Sequence, residues 1–215
     1  MDRRSVSFGV HGAGSASLRR LVAAIFWLLV VLVGARPALA VSVLPLTLPD
    51  MVSHAAVAFE GVCTGSRVET DGATGQRVTF TTFDVVDVLK GTVGTTHTIK
   101  QIGAQRSFSA TGTVASHGVP SFVNGQRYVV MLYGVSELGF SSPVGLAQGS
   151  FVVRDRDSGR TVGNGRDFRA MLPEAARGGL PSPVSVALSS ATSQVTELGL
   201  DDFKAEVRRL AGAPK

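Results

Sequence analysis

From residue 55 to residue 162 the chain is dominated by alternation of apolar and polar positions. In Arg77 to Gly91, RVTFTTFDVVDVLKG, β-branched and aromatic residues recur with period two, the pattern of a half-buried strand. The alternation changes phase midway. Val78 and Phe80 share one parity, whereas Phe83, Val85 and Leu89 share the other. A one-residue slip turns every later side chain to the opposite face, so a β-bulge or bend is expected near Thr81 and Thr82. Such a bend would let one long strand serve two walls of a barrel.

The neighbouring segments fit the same plan. Ala55 to Thr64 reads as a first strand, with Val57, Phe59, Gly61 and Cys63 on one face and Ala58, Glu60, Val62 and Thr64 on the other. Residues 65–76 form a polar turn region around Asp71-Gly72, and Thr95 to Ile102 makes a strand whose modest alternation suits half exposure. Tyr128 to Tyr133 is nearly continuously apolar, as a strand covered on both faces would be, and follows a turn at Asn124-Gly125. Gly149 to Arg154 and Arg160 to Val162 form a hairpin turned by Asp157-Ser158-Gly159. Ahead of the strands, Pro45 and Pro49 oppose a helix, and Asp50 is a candidate N-cap for one helical turn ending at His54.

Two stretches carry no period of their own, the loops 103–120 and 134–148. Residues 173–198, rich in Pro, Gly, Ser and Ala, read as a linker over the surface. Leu200, Phe203, Val207 and Leu210 then recur at helical spacing. A helix over 199–211 would be marginal alone and must dock on the sheet. The expected fold is all-β: a small closed or partly open OB-like β-barrel of five to six strands in residues 41–172, with that C-terminal helix docked on it.

The first 40 residues differ in kind. Arg3, Arg4, Arg19 and Arg20 precede an apolar run from Leu21 to Val33, and Ala38-Leu39-Ala40 has the small-x-small form of a cleavage site. The run, about 13 residues, is short of the ~20 needed to cross a bilayer. Residues 1–40 therefore read as a signal peptide. The mature protein is expected to be secreted or periplasmic, with no membrane association after cleavage. This changes the charge picture. Residues 1–40 hold five of the 21 basic residues and one of the 16 acidic ones, so the remainder is formally +1. The high isoelectric point belongs largely to the leader, and no basic patch points to nucleic acid. Cys63, the single cysteine, cannot form an internal disulfide and reads as a small buried hydrophobe.

Chemistry-bearing motifs are sparse. Beyond the leader lie His54, His97 and His117, none at metal-ligand spacing from another His or Cys. There is no G-x-S-x-G elbow, and Gly163-Asn164-Gly165 lacks the Lys-Ser/Thr pair of a phosphate loop. Glu60, Asp84 and Asp87 lie in apolar strands, where acids more often guard or pin structure than form a catalytic pair. The mixed-sign run Arg154, Asp155, Arg156, Asp157 and Arg160 reads as a solvated hairpin. No catalytic residue, metal ligand or cofactor is indicated. The binding candidates are Arg106, Phe108 and His117 in the first loop and Phe140 in the second.

AVAFEGVC, VTFTTFDVVDVLKG, GVPSFVNGQRYVVMLYG, GLAQGSFVV and LDDFKAEVRRL, taken together, resemble a group of exported bacterial proteins of unassigned role. More remotely, the early hydrophobic strand, the long strand ending in Lys90-Gly91 and the later Tyr-rich strand are similar to the netrin-type OB barrel of tissue metalloprotease inhibitors. Those inhibitors present an N-terminal cysteine to the protease metal and are stapled by disulfides. Val41 and the lone Cys63 supply neither feature. Neither the inhibitory mechanism nor its contact residues therefore carry over. A non-enzymatic exported binding module is expected because barrels place recognition in loops on a rigid scaffold, with loops 103–120 and 134–148 as the contact face. Its expected partner is a secreted protease or another envelope protein. The alternatives are a cell-envelope hydrolase built from His117 and loop acids, or a structural envelope component.

Overall fold

The computed structural model describes residues 44–103 and 119–212. Residues 1–40, the expected signal peptide, lie outside them, as do Arg106, Phe108 and His117. The chain order is α1 (Leu48–His54), β1 (Val57–Thr70), β2 (Arg77–Lys90), β3 (Thr96–Ile102), β4 (Arg127–Leu132), β5 (Ser150–Arg156), β6 (Gly159–Gly163), α2 (Phe168–Met171), a 3-10 turn (Glu174–Ala176), α3 (Ser182–Ser190), β7 (Leu198–Gly199) and α4 (Leu200–Gly212). No helix among the described residues is long and apolar enough to cross a membrane.

All strands pair antiparallel in one seven-stranded sheet, ordered β3-β2-β1-β4-β5-β6-β7. The protein is therefore mostly β with a C-terminal helix, but the sheet is open, and the closed barrel of five or six strands is not formed. The segment after β4 approaches β3 without making a ladder. It folds back on β4 through an isolated bridge, Leu132 to Pro143, and among the described residues reaches the β3 main chain through the Ser141 N–H to Lys100 O bond at 3.0 Å. Pro143 has no N–H to extend the pairing.

A bulge does fall opposite Thr82 and Phe83, but it is on β1, and β2 itself changes face farther on. In the β1–β2 register, Thr64 is the extra residue on β1, and Val86 and Leu89 are extra on β2. Phe83 and Val85 belong to one apolar face, while Leu89 belongs to the other and Asp87 meets α4. The change of face therefore lies at Val86 and not at Thr81–Thr82. Opposite this step sits Gly61, where a Cβ would come within 3.0 Å of Asp84 O and 3.1 Å of the Phe59 ring. Apolarity alone misleads over 78–82, because Thr79 and Thr81 are buried as the inward row leading to Phe83. Their hydroxyls are satisfied: Thr79 Oγ1 donates to Gly103 O at 2.8 Å, and Thr81 Oγ1 shares a 2.9 Å bond with Ser66 Oγ.

The curled sheet has a core on each face. One gathers Phe59, Cys63, Phe83, Ile99, Phe122 and Tyr128, with edge-to-face rings such as Phe83–Phe122 at 4.9 Å. Cys63 is free and buried there, and burial raises its thiol pKa. The other core is covered by helices and includes Met51, Met131, Phe151, Phe168 and Phe203. β4 feeds both, Tyr128, Val130 and Leu132 on one side and Val129 and Met131 on the other.

Two local expectations need correction. Thr47, not Asp50, caps α1; Asp50 is the third residue of a capping box, and Pro49 fits within the first turn, where its missing N–H costs nothing. The stretch expected as a linker contains the 3-10 turn and the nine-residue α3, whose Leu188 is buried in the helix-side core. The expected helix stripe docks as read, with Leu200, Phe203 and Val207 buried.

Candidate functional site

A cleft of about 300 Å³ lies between β3 and the loop joining β4 to β5, lined by Lys100, Gln101, Ile102, Val119, Phe140, Ser141, Ser142 and Leu146. Its position follows from the open sheet. β3 is an edge strand, and the β4–β5 loop meets it through the Ser141 main chain and through Leu138 and Phe140 at Lys100. Residues Ile102 and Leu138, each 53 % exposed, extend apolar surface beside the opening.

Phe140 forms one wall and is held there. Lys100 Nζ lies 4.3 Å from its ring centroid, donates to Leu138 O at 2.8 Å, and pairs with Asp71 Oδ1 at 2.5 Å. The hydrogen bond from Lys100 holds the Asp71 carboxyl below the usual carboxylate range. Within the loop, Ser136 and Phe140 exchange main-chain and side-chain hydrogen bonds. Leu146, from the same loop, also lines the cleft and has φ 63, a left-handed conformation that branched, bulky residues avoid. Such strain costs about 1–2 kcal/mol and tends to persist at contact sites.

Gln101 is the chemically distinctive residue. Its side chain is 2 % exposed, yet neither Nε2 nor Oε1 has a hydrogen-bond partner. An amide buried in this way is destabilising by about 1–3 kcal/mol until something supplies a donor and an acceptor. It follows Ile99 and His97 on the inward row of β3. His97 Nε2 is also buried without a partner; its ring meets Phe59 edge-on at 5.3 Å, and burial lowers its pKa, favouring the neutral imidazole.

Of the residues singled out from sequence, Phe140 is in the cleft wall, whereas Arg106, Phe108 and His117 lie outside the described residues. Leu146 lies in the loop 134–148 expected to make contacts, whereas Lys100, Gln101 and Ile102 of β3 were not legible as site residues. The available signal was a polar Gln at the inward parity of a strand. Of the histidines among the described residues, His54 has Nδ1 2.8 Å from Asp50 O at the end of α1, and His97 sits on β3. Among the described residues, no group of three or more His, Cys, Asp or Glu is placed to hold a metal ion.

The acids in apolar strands also have defined places. Glu60 is 1 % exposed and ion-paired to Arg127 and Lys204, each at 2.7 Å. Asp87 pairs with Lys204 and Arg208, and Asp84 is exposed. No family model, no curated protein and no solved structure matches the chain. The likeness to exported OB-type barrels thus rests on strand and turn signals alone.

Proposed function

We propose that this chain is an exported, non-enzymatic binding module whose cleft between β3 and the β4–β5 loop takes an extended peptide segment of a secreted or envelope protein. The mainly apolar cleft beside the open edge of β3, backed by the buried and unpartnered Gln101 amide on the inward row, carries this reading. A primary amide presents one carbonyl beside an N–H₂, and a peptide group presents the complementary pair. Apolar ligand side chains would rest on Phe140, Ile102 and Leu146.

The adjoining edge of β3 supports an extended ligand. Gly103 N–H points to β2, where it donates to Arg77 O, whereas Lys100 O accepts from Ser141 on the open side. Alternation then turns the main-chain groups of Thr98 outward as well, and edge groups of this kind recognise peptides by adding a strand. Linear-peptide phage display on the protein and on Phe140→Ser tests the reading. Peptides enriched on the wild type should lose binding to Phe140→Ser and shift the Gln101 side-chain amide resonances. Equal binding to both proteins, or no enrichment, would overturn it.

A further inference from the structure

A second site, sharing no lining residue with the cleft, lies where β4 and β5 part. Their pairing runs only to Tyr128–Val152, while β5 continues to Arg156 beside β6. The resulting groove has a volume of about 640 Å³. Its charged lining is Arg127, Arg154, Arg156 and Arg160 against the single acid Asp155. The chain beyond the leader is nearly neutral, so this is a local concentration of positive charge and not a general background.

The groove is framed by polar groups that hold it open. Gln126 Nε2 spans it to Val153 O at 2.7 Å. Tyr128 Oη accepts Val123 N–H at 2.9 Å, a bond that does not use the hydroxyl's own proton. The arginines' carboxylate partners stand mostly outside the walls. Glu60 takes one nitrogen of Arg127, and Glu197 meets Arg156 at 2.6 Å but Arg154 only at 3.5 Å. Arg160 is held by Asp155 at 3.1 Å. A guanidinium has five N–H donors, so these contacts leave donors on every one of the four.

We propose that this groove binds a multivalent oxyanion, a ligand carrying phosphate or carboxylate groups, by forked contacts from Arg154 and its neighbours. Planar guanidinium forks suit both anion types, and Arg154 and Arg156, which share Glu197, with Arg127 and Arg160 also lining the groove, favour multiple charge over single charge. Glu197 acts as the resident competitor for Arg154 and Arg156. The run of alternating Arg and Asp, which reads as a solvated hairpin, gains this role because the splay brings Arg127 of β4 beside it.

Calorimetric titration with inorganic pyrophosphate, chloride holding ionic strength constant, tests the proposal. Saturable one-site binding is expected, weakening as salt rises. Arg154→Gln should lower the affinity about tenfold, the loss of one charge-assisted contact. Glu197→Gln should raise it, because two arginines lose their internal carboxylate. A parallel citrate titration separates phosphate from carboxylate as the preferred group. Saturable binding of neither probe would overturn the site, and so would variants that leave the affinity unchanged or move it in the same direction.

Discussion

Lys204 Nζ lies 2.7 Å from Glu60 Oε2, joining the last helix to the first strand across 144 residues of sequence. The same ammonium lies 2.7 Å from Asp87 Oδ2, so it also grips β2 just past its kink. Burial pushes the Asp87 carboxyl upward, but hydrogen bonds from Lys204 and Arg208 outweigh it and hold the pKa below the ordinary range. Glu60 is almost wholly buried, so deleting the ammonium leaves it with Arg127 alone. Lys204→Met should destabilise the fold by about 1–3 kcal/mol, read as a lower urea midpoint with an unchanged slope.

Acid should loosen the segment behind β6. Asp167 accepts the Arg169 guanidinium, caps α2 through Arg169 N–H and accepts Val195 N–H. The Arg169 hydrogen bond is the largest influence, and the carboxyl pKa falls to about 2 from its model-peptide value of 3.8. A depressed carboxylate contributes stability that is present above its unfolded value and lost as pH falls through the folded one. Stability should therefore decline between about pH 4 and pH 2, and the decline should be shallower in Asp167→Asn. Urea unfolding across this range checks the slope.

Gly179 packs where a side chain has no room. A Cβ there would collide with Arg209 Cδ and Nε and with Glu206 Oε2. Glu206 is fully buried and is held by Arg209 through bonds of 2.6 and 2.8 Å. Gly179→Ala should cost about 2–4 kcal/mol by prising this pair apart. Gly178→Ala, with nothing within 4 Å of the new methyl, should change stability by no more than about 0.5 kcal/mol. Equal melting temperatures for the two variants would show that the pair has another way to settle.

The strands were readable where side-chain pattern and burial coincide, and unreadable where they part. β2 runs from Arg77 to Lys90 as its alternation predicts, and the Leu200, Phe203 and Val207 stripe buries as helical spacing requires. The kink went to Val86 because Thr79 and Thr81, polar by composition, are buried through satisfied hydroxyls. α3 escaped notice because only Leu188 of its nine residues is buried, among Ser, Ala and Pro. Sheet closure depends on a loop reaching β3, which no local pattern encodes. The cleft was half legible: Phe140 stood out as an aromatic in a loop, whereas Gln101 matters only because three-dimensional packing leaves its amide without a partner.

That amide allows stability and binding to be moved in opposite directions. Gln101→Leu replaces an unsatisfied buried amide with an apolar group of similar size, so the unliganded fold should be unchanged or stabilised by up to about 1 kcal/mol. If Gln101 is a ligand contact, the same substitution should weaken a peptide selected on the wild type about tenfold. The decisive measurement is the affinity of such a peptide for wild type and Gln101→Leu, with thermal unfolding recorded on the same samples. Gln101→Leu should bind more weakly while being at least as stable as wild type, and a destabilised variant that holds the peptide as tightly as wild type would contradict the cleft as a peptide site.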